Sequence, residues 1–167
     1  MGTDAHRAAA AAKGPIPVGL VTVSDTRTTE TDENGSWLRE RVEASGNRVS
    51  GYQLVRDEPD EVRAAVDELV AEARVVLVNG GTGVSGRDTT YDTLAALLEK
   101  TLPGFGELFR MLSFAEIGAA AMLSRAVAGT IGRTAVFALP GSENAVRLAM
   151  TRLIIPELGH VVRELRR

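Results

Sequence analysis

Cysteine is absent from this chain, which excludes disulfides, thiolate nucleophiles and sulfur-bound metals. Histidine is almost absent: His6 and His160 are the only two, too few for a histidine-rich metal centre. No apolar run approaches the roughly 18 residues that a membrane span needs, so no membrane association is expected. Excess positive charge is lacking as well. The formal net charge of -3 offers no general attraction to a nucleic-acid backbone, and no nucleic-acid partner is expected. Carboxylates, hydroxyls and backbone groups remain for chemistry, and these are the ligands that a hard ion such as magnesium prefers.

A chain of 167 residues with 44% hydrophobic content can bury a substantial core as one soluble domain. Residues 1–14 contain the alanine run 8–12 but neither a long apolar core nor a cleavage pattern. They are expected to form a flexible tail rather than a signal peptide. One domain over residues 15–167 and a cytoplasmic location follow as expectations.

The densest local signal lies at 75–88. An apolar run, Val75-Val76-Leu77-Val78, empties into a loop with glycine at positions 80, 81, 83 and 86. Glycine tolerates positive φ and close ligand approach, so Gly80, Gly81, Thr82 and Gly83 can turn backbone N–H groups and a hydroxyl towards a phosphate. The spacing matches neither the dinucleotide fingerprint nor a P-loop, and a tight turn without a ligand remains the plainer alternative.

Short β-rich runs at 18–23, 49–55, 75–78 and 135–139 alternate with helical patterns at 34–44, from Pro59, and at 89–99. That rhythm predicts a three-layer α/β/α domain with a mostly parallel sheet. Residues 103–114 break the rhythm with glycines, aromatics and embedded charges. Residues 116–127 read as an alanine-rich helix ending near Gly129. The last long helix starts after Pro140-Gly141-Ser142 and runs towards Leu153, and Pro156 starts a final short one.

Ligands of open parallel sheets bind beyond the carboxyl ends of the strands. Ser24 and Asp25, Asp57 and Glu58, the 80–88 loop, and Pro140 to Ser142 all fall at such ends. If the first strand lies between the second and third, Asp25, Asp57 and Asp88 open on one rim, where carboxylates would suit a magnesium–nucleotide site. Asp88 is either a cation ligand or the cap of the 89–99 helix, and Asp57 has the same ambiguity beside the Pro59 helix. Ser142 is either a helix cap or an anion contact. Arg110 and Arg125 are either phosphate neutralisers or solvent-facing charges. Phe105, Phe109 and Trp37 read as packing residues, and the histidines have no evident partners.

Several segments, in this order, carry a specific resemblance. They are Val23-Ser24-Asp25-Thr26, Gly80-Gly81-Thr82-Gly83, Arg87-Asp88-Thr89, Pro103-Gly104-Phe105-Gly106-Glu107-Leu108-Phe109-Arg110 and Leu112-Ser113-Phe114-Ala115-Glu116-Ile117-Gly118. Leu123-Ser124-Arg125-Ala126, Phe137-Ala138-Leu139-Pro140-Gly141-Ser142 and Pro156-Glu157-Leu158-Gly159-His160 complete the set. From about Val18 to His160 the chain resembles the molybdenum-cofactor biosynthesis family that includes molybdopterin adenylyltransferase and the related protein B. The resemblance implies magnesium-dependent transfer of AMP from ATP to the terminal phosphate of molybdopterin, with release of pyrophosphate. It implies Asp57 and Asp88 as the catalytic, magnesium-binding carboxylates. Gly80, Gly81, Thr82 and Gly83 would contact nucleotide and pterin, with Ser142 beside a bound phosphate. Ser24 and Asp25, at the end of the first strand, are candidate substrate contacts. A homo-oligomer, trimer or hexamer, and transient contact with a molybdate-insertion protein are also implied. Asn79 stands where many relatives have threonine, a change that alters pocket shape. A non-catalytic molybdopterin-binding or scaffold protein is the alternative function.

Overall fold

The computed structural model describes residues 14–167. Of the expected tail, residues 1–13, with His6 among them, lie outside the described residues. Six strands form one sheet: β1 (Pro17–Val23), β2 (Arg48–Val55), β3 (Val75–Asn79), β4 (Lys100–Thr101), β5 (Val127–Ile131) and β6 (Thr134–Leu139). Their order is β2-β1-β3-β6-β5-β4. β2, β1, β3 and β6 pair in parallel, whereas β5 is antiparallel to both of its neighbours. The expected three-layer, mostly parallel α/β architecture is therefore present.

The helices are α1 (Glu33–Ala44), α2 (Pro59–Val70), α3 (Thr90–Leu97), α4 (Pro103–Ile117), α5 (Glu143–Ala149) and α6 (Ile155–Glu164). Strand side chains alternate between faces, and the core divides accordingly. Val75, Leu77, Phe137 and Leu139 pack with Leu38 of α1, Phe105 and Phe109 of α4, and Leu158 of α6. Val76, Val78, Val136 and Ala138 pack on the other face with Val62 and Val66 of α2 and Leu94 of α3. Each fully buried aliphatic or aromatic side chain of this kind contributes about 1.5–3 kcal/mol. Phe105 meets Phe137 edge-on at 5.1 Å, so Phe105 and Phe109 are packing residues, as expected.

Three expected boundaries change. Residues 103–114, expected as an interruption, lie within the 15-residue helix α4, with Pro103 in its first turn, where a missing N–H is harmless. The expected helix at 116–127 does not form. Gly118 ends α4 at φ 64°, a 3₁₀ segment follows over Gly118–Leu123, and Val127–Ile131 becomes β5. Alanine propensity yields there to a hairpin with β6, turned by Gly132 at φ 56°. The two expected C-terminal helices join through a π turn at Met150–Ile154, where the Ile155 N–H reaches the Met150 carbonyl. Pro156 has no N–H for a regular α turn, and the widened backbone accommodates it.

The chain passes from β1 through α1 to β2 on one side of β1, while β3 lies on the other side of β1. The reversal opens a crevice beyond the ends of β1 and β3, where the glycine loop and the 24–32 turn meet. Among the described residues, no helix is long and apolar enough to cross a membrane.

Candidate functional site

A cavity of about 390 Å³ occupies that crevice. Its wall includes Ser24, Gly80, Gly81, Thr82, Gly83 and Asp88, six of the residues singled out from sequence. Gly141 and Pro140 close it from the β6 side, and Leu123 and Ser124 from the 3₁₀ segment.

The loop needs its glycines for different reasons. Gly80 and Gly81 adopt φ of 103° and 66°, in the left-handed region. A Cβ on Gly80 would strike the Val23 carbonyl, and one on Gly81 would strike Thr90 Oγ1 and Asp57 Oδ2. A Cβ on Gly83 would lie 2.6 Å from Asp88 Oδ2, so a side chain there would displace that carboxylate. Gly86 has open space around it and carries no such constraint. Gly80 N–H continues the ladder to the Leu139 carbonyl at 3.0 Å. The N–H groups of Gly81, Thr82 and Gly83 have no acceptor among the described residues. Thr82 is 3% exposed, and its hydroxyl is likewise without a partner there. These unpartnered donors belong to three consecutive residues of the cavity wall, an arrangement suited to an anion.

Two of the expected carboxylates serve the scaffold behind this wall. Asp57 is 6% exposed and does not line the cavity. Its Oδ1 accepts from Thr89 N–H (3.1 Å), Thr89 Oγ1 (2.8 Å) and Thr90 Oγ1 (3.2 Å). Asp57 thus fastens the start of α3 from across the sheet edge, and it makes no cap for α2. Asp25 accepts from Asp57 N–H at 3.1 Å and from Arg87 Nη2 at 2.9 Å, while Arg87 Nη1 donates to Glu58 at 2.9 Å. Arg87 therefore ties the glycine loop to the ends of β1 and β2. Its hydrogen bond, followed by the Asp57 amide, holds the Asp25 carboxyl below the usual range, and Glu58 and Asp25 raise Arg87 in return.

Asp88 is the carboxylate that opens to the cavity. It does not cap α3, whose N-cap is Thr89. Oδ2 accepts from Ser85 N–H at 3.0 Å, and Oδ1 has no partner among the described residues. β1 does lie between β2 and β3, and Asp25, Asp57 and Asp88 all fall at that rim, but no group of three or more acidic or histidine side chains could hold a metal among the described residues. A magnesium cage made of protein ligands alone does not fit. One free carboxylate oxygen facing a phosphate-binding wall does fit an ion that is shared with ligand phosphates and keeps its own waters.

Ser142 caps α5, its hydroxyl accepting from Ala145 N–H at 3.3 Å, and Gly141 rather than Ser142 lines the cavity. Arg125 donates to the Gly83 carbonyl at 3.1 Å, pairs with Asp92 and stacks on Tyr91 at 4.4 Å. Arg110 lies 3.5 Å from the Ser124 carbonyl. Both arginines support the segments that form the wall. His160 contacts Glu157 at 3.0 Å, which corrects the expectation that it lacks a partner. It lies beside a second cavity, of about 350 Å³, which contains none of the expected site residues.

Of the floor, the sequence singled out Asn79 as altering pocket shape and left Asn34 unnoticed. Asn34 and Asn79, 5% and 1% exposed, join there. Asn34 Nδ2 donates to the Gly141 carbonyl at 2.8 Å and to Asn79 Oδ1 at 3.4 Å. Asn79 Nδ2 donates to the Val21 carbonyl at 3.2 Å and to Thr22 Oγ1 at 3.0 Å. The usable signal was an amide within an otherwise apolar strand, at Asn79.

The sequence profile of a probable molybdopterin binding domain matches residues 19–160. Molybdenum cofactor biosynthesis protein B of Bacillus cereus is 52% identical over 151 residues, covering 89% of each chain. A crystal structure of a molybdenum cofactor biosynthesis protein B superposes with a TM-score of 0.90 at 50% identity, covering 93% of this chain and 98% of that one. That of the tungsten cofactor synthesizing protein MoaB from Pyrococcus furiosus gives 0.84 at 34% identity, covering 93% and 100%.

Proposed function

The chain belongs to the molybdopterin-binding domain family and has a role in molybdenum cofactor biosynthesis; from that premise we propose that it transfers AMP from Mg-ATP to the terminal phosphate of molybdopterin. An oxygen of that phosphate attacks the α-phosphorus of ATP, the bond from this phosphorus to the β-phosphate oxygen breaks, and pyrophosphate leaves. The observation that carries the reading is the run of unpartnered N–H groups at Gly81, Thr82 and Gly83, residues that line the same cavity as Asp88.

The attacking phosphate is ionised near neutral pH, so neither histidine nor cysteine is required as a base. The loop N–H groups and the Thr82 hydroxyl would hold phosphate oxygens where negative charge develops. Asp88 Oδ1 would hold magnesium, which when bound neutralises the phosphates and polarises the α-phosphorus. Asp57, expected as a second metal ligand, is assigned instead to positioning: it fixes Thr89 and Thr90, and through them the loop that carries Asp88. Ser24 supports the facing turn, its Oγ accepting from Arg27 N–H at 3.1 Å.

Association into a trimer or hexamer is part of the same reading. Leu108, Met111, Phe114, Ile117 and Met122 are exposed on α4 and the 3₁₀ segment beside the cavity, next to Leu123 on its rim. A charged residue at Phe114 is expected to lower the molecular mass measured by light scattering. Transient contact with a molybdate-insertion protein, which would take the adenylylated pterin, completes the proposal.

One observation favours molybdopterin binding without transfer: the engagement of Asp57 leaves a single carboxylate at the cavity. Incubation with molybdopterin, ATP and magnesium separates the two readings. Adenylylated pterin and pyrophosphate in equal amounts support transfer, whereas bound pterin with intact ATP supports the carrier.

A further inference from the structure

We propose that Asn34 Oδ1 is a specificity-determining acceptor that reads an N–H group of the ligand's amino-substituted heterocycle, an inference that rests on the nucleotide–pterin reading of this cavity. The hydrogen-bond chain beneath the site fixes its orientation. The Val21 carbonyl can only accept, so Asn79 must turn Nδ2 towards it and Oδ1 towards Asn34. Asn34 in turn must offer Nδ2, which the Gly141 carbonyl also requires. Asn34 Oδ1 is thereby left without a donor among the described residues. It is not sealed in either, since it is not among the fully buried side-chain atoms that lack a partner. Asn34 is 5% exposed and lines the cavity, so the open side of this oxygen faces the ligand space.

A lone acceptor at this depth selects a donor. It repels a phosphate oxygen, which belongs instead at the N–H row of Gly81, Thr82 and Gly83. The cavity therefore has a donor-lined anion wall and an acceptor on its floor, matching a ligand with phosphate at one end and a heterocycle bearing N–H groups, on the ring or its amino substituent, at the other. Adenine and pterin both carry such groups. A site built around a hydrogen bond rejects analogues that lack it, because its own buried group is then left unpaired.

Equilibrium binding tests this without turnover, so its outcome is independent of whether AMP is transferred. The probes are pterin against 2-desaminopterin and 3-methylpterin, and adenosine against purine riboside, followed by ligand-detected NMR with the full chain. The wild-type protein is expected to prefer pterin or adenosine over at least one of its donor-deleted analogues by about tenfold. Asn34→Ala is expected to bind parent and analogue equally. Loss of the preference among pterins assigns the oxygen to the pterin, and loss between the nucleosides assigns it to adenine. Equal binding of every pair by wild-type protein overturns the proposal, and so does a preference that survives in Asn34→Ala. Failure of both parent heterocycles to bind overturns it as well. The wild-type comparison stands even if the variant does not fold.

Discussion

Replacing Asp57 by alanine should unfold the protein much more readily than replacing Asp88, although both carboxylates lie at the same rim. Asp57 Oδ1 satisfies Thr89 N–H, Thr89 Oγ1 and the fully buried Thr90 Oγ1. Removing it strands these donors, and each buried one costs about 1–3 kcal/mol. Because the three share one oxygen, and Thr89 is half-buried and can turn to water, the effects do not add. The expected loss is about 3 kcal/mol, out of a total of about 5–15 for a domain. With a urea slope of about 2 kcal/mol per M, the unfolding midpoint should fall by ~1.5 M. Asp57→Asn keeps an acceptor in place and should lose about 1 kcal/mol. Asp88→Ala removes one hydrogen bond, to Ser85 N–H in an exposed loop, and should cost no more than about 1 kcal/mol. Urea unfolding followed by circular dichroism, at one fixed protein concentration, measures all three. Midpoints for Asp57→Ala and Asp88→Ala that agree within error would refute the division into a buried fastener and a cavity ligand.

Asp88→Asn should leave the unfolding midpoint near wild type and reduce adenylyl transfer at saturating magnesium by at least about a hundredfold, as read by pyrophosphate release. Gly81→Ala should destabilise by about 2–4 kcal/mol, since its Cβ meets Thr90 and Asp57 at positive φ, whereas Gly86→Ala should lie within about 0.5 kcal/mol of wild type; thermal melts compare them. The Asp25 carboxyl titrates below its unfolded value, so the Arg87 tie is fully present above about pH 4 and is lost as pH falls through the lower folded value. Proteolytic nicking of the 84–88 loop should accordingly stay constant from about pH 8 down to about pH 5 and rise only in stronger acid; a rise at neutral pH would contradict this.

The alternation of β-branched runs with amphipathic segments was legible because burial imposes it. Val75 to Val78 sit on both faces of a covered sheet, and Val62, Val66 and Leu69 form one helical stripe. Residues 116–127 were misread because alanine favours helix locally, while Gly118 and the pairing of β5 with β6 are respectively a single-residue and a long-range constraint. The glycine loop was legible as a loop, since positive φ leaves its mark in residue type. The different fates of Asp57 and Asp88 were not. They are decided by which donors each carboxylate meets across the sheet, and Thr89 and Thr90 lie 32 and 33 residues from Asp57. The pairing of Asn79 with Asn34 escaped for the same reason, the two being 45 residues apart.

Whether the glycine loop and Asp88 perform adenylyl transfer is decided by product detection with purified protein, molybdopterin, ATP and magnesium. Adenylylated molybdopterin and pyrophosphate formed one to one, and abolished by Asp88→Asn in a folded protein, is the predicted result. Tight binding of molybdopterin with ATP left unconsumed, or undiminished turnover in that variant, would contradict it.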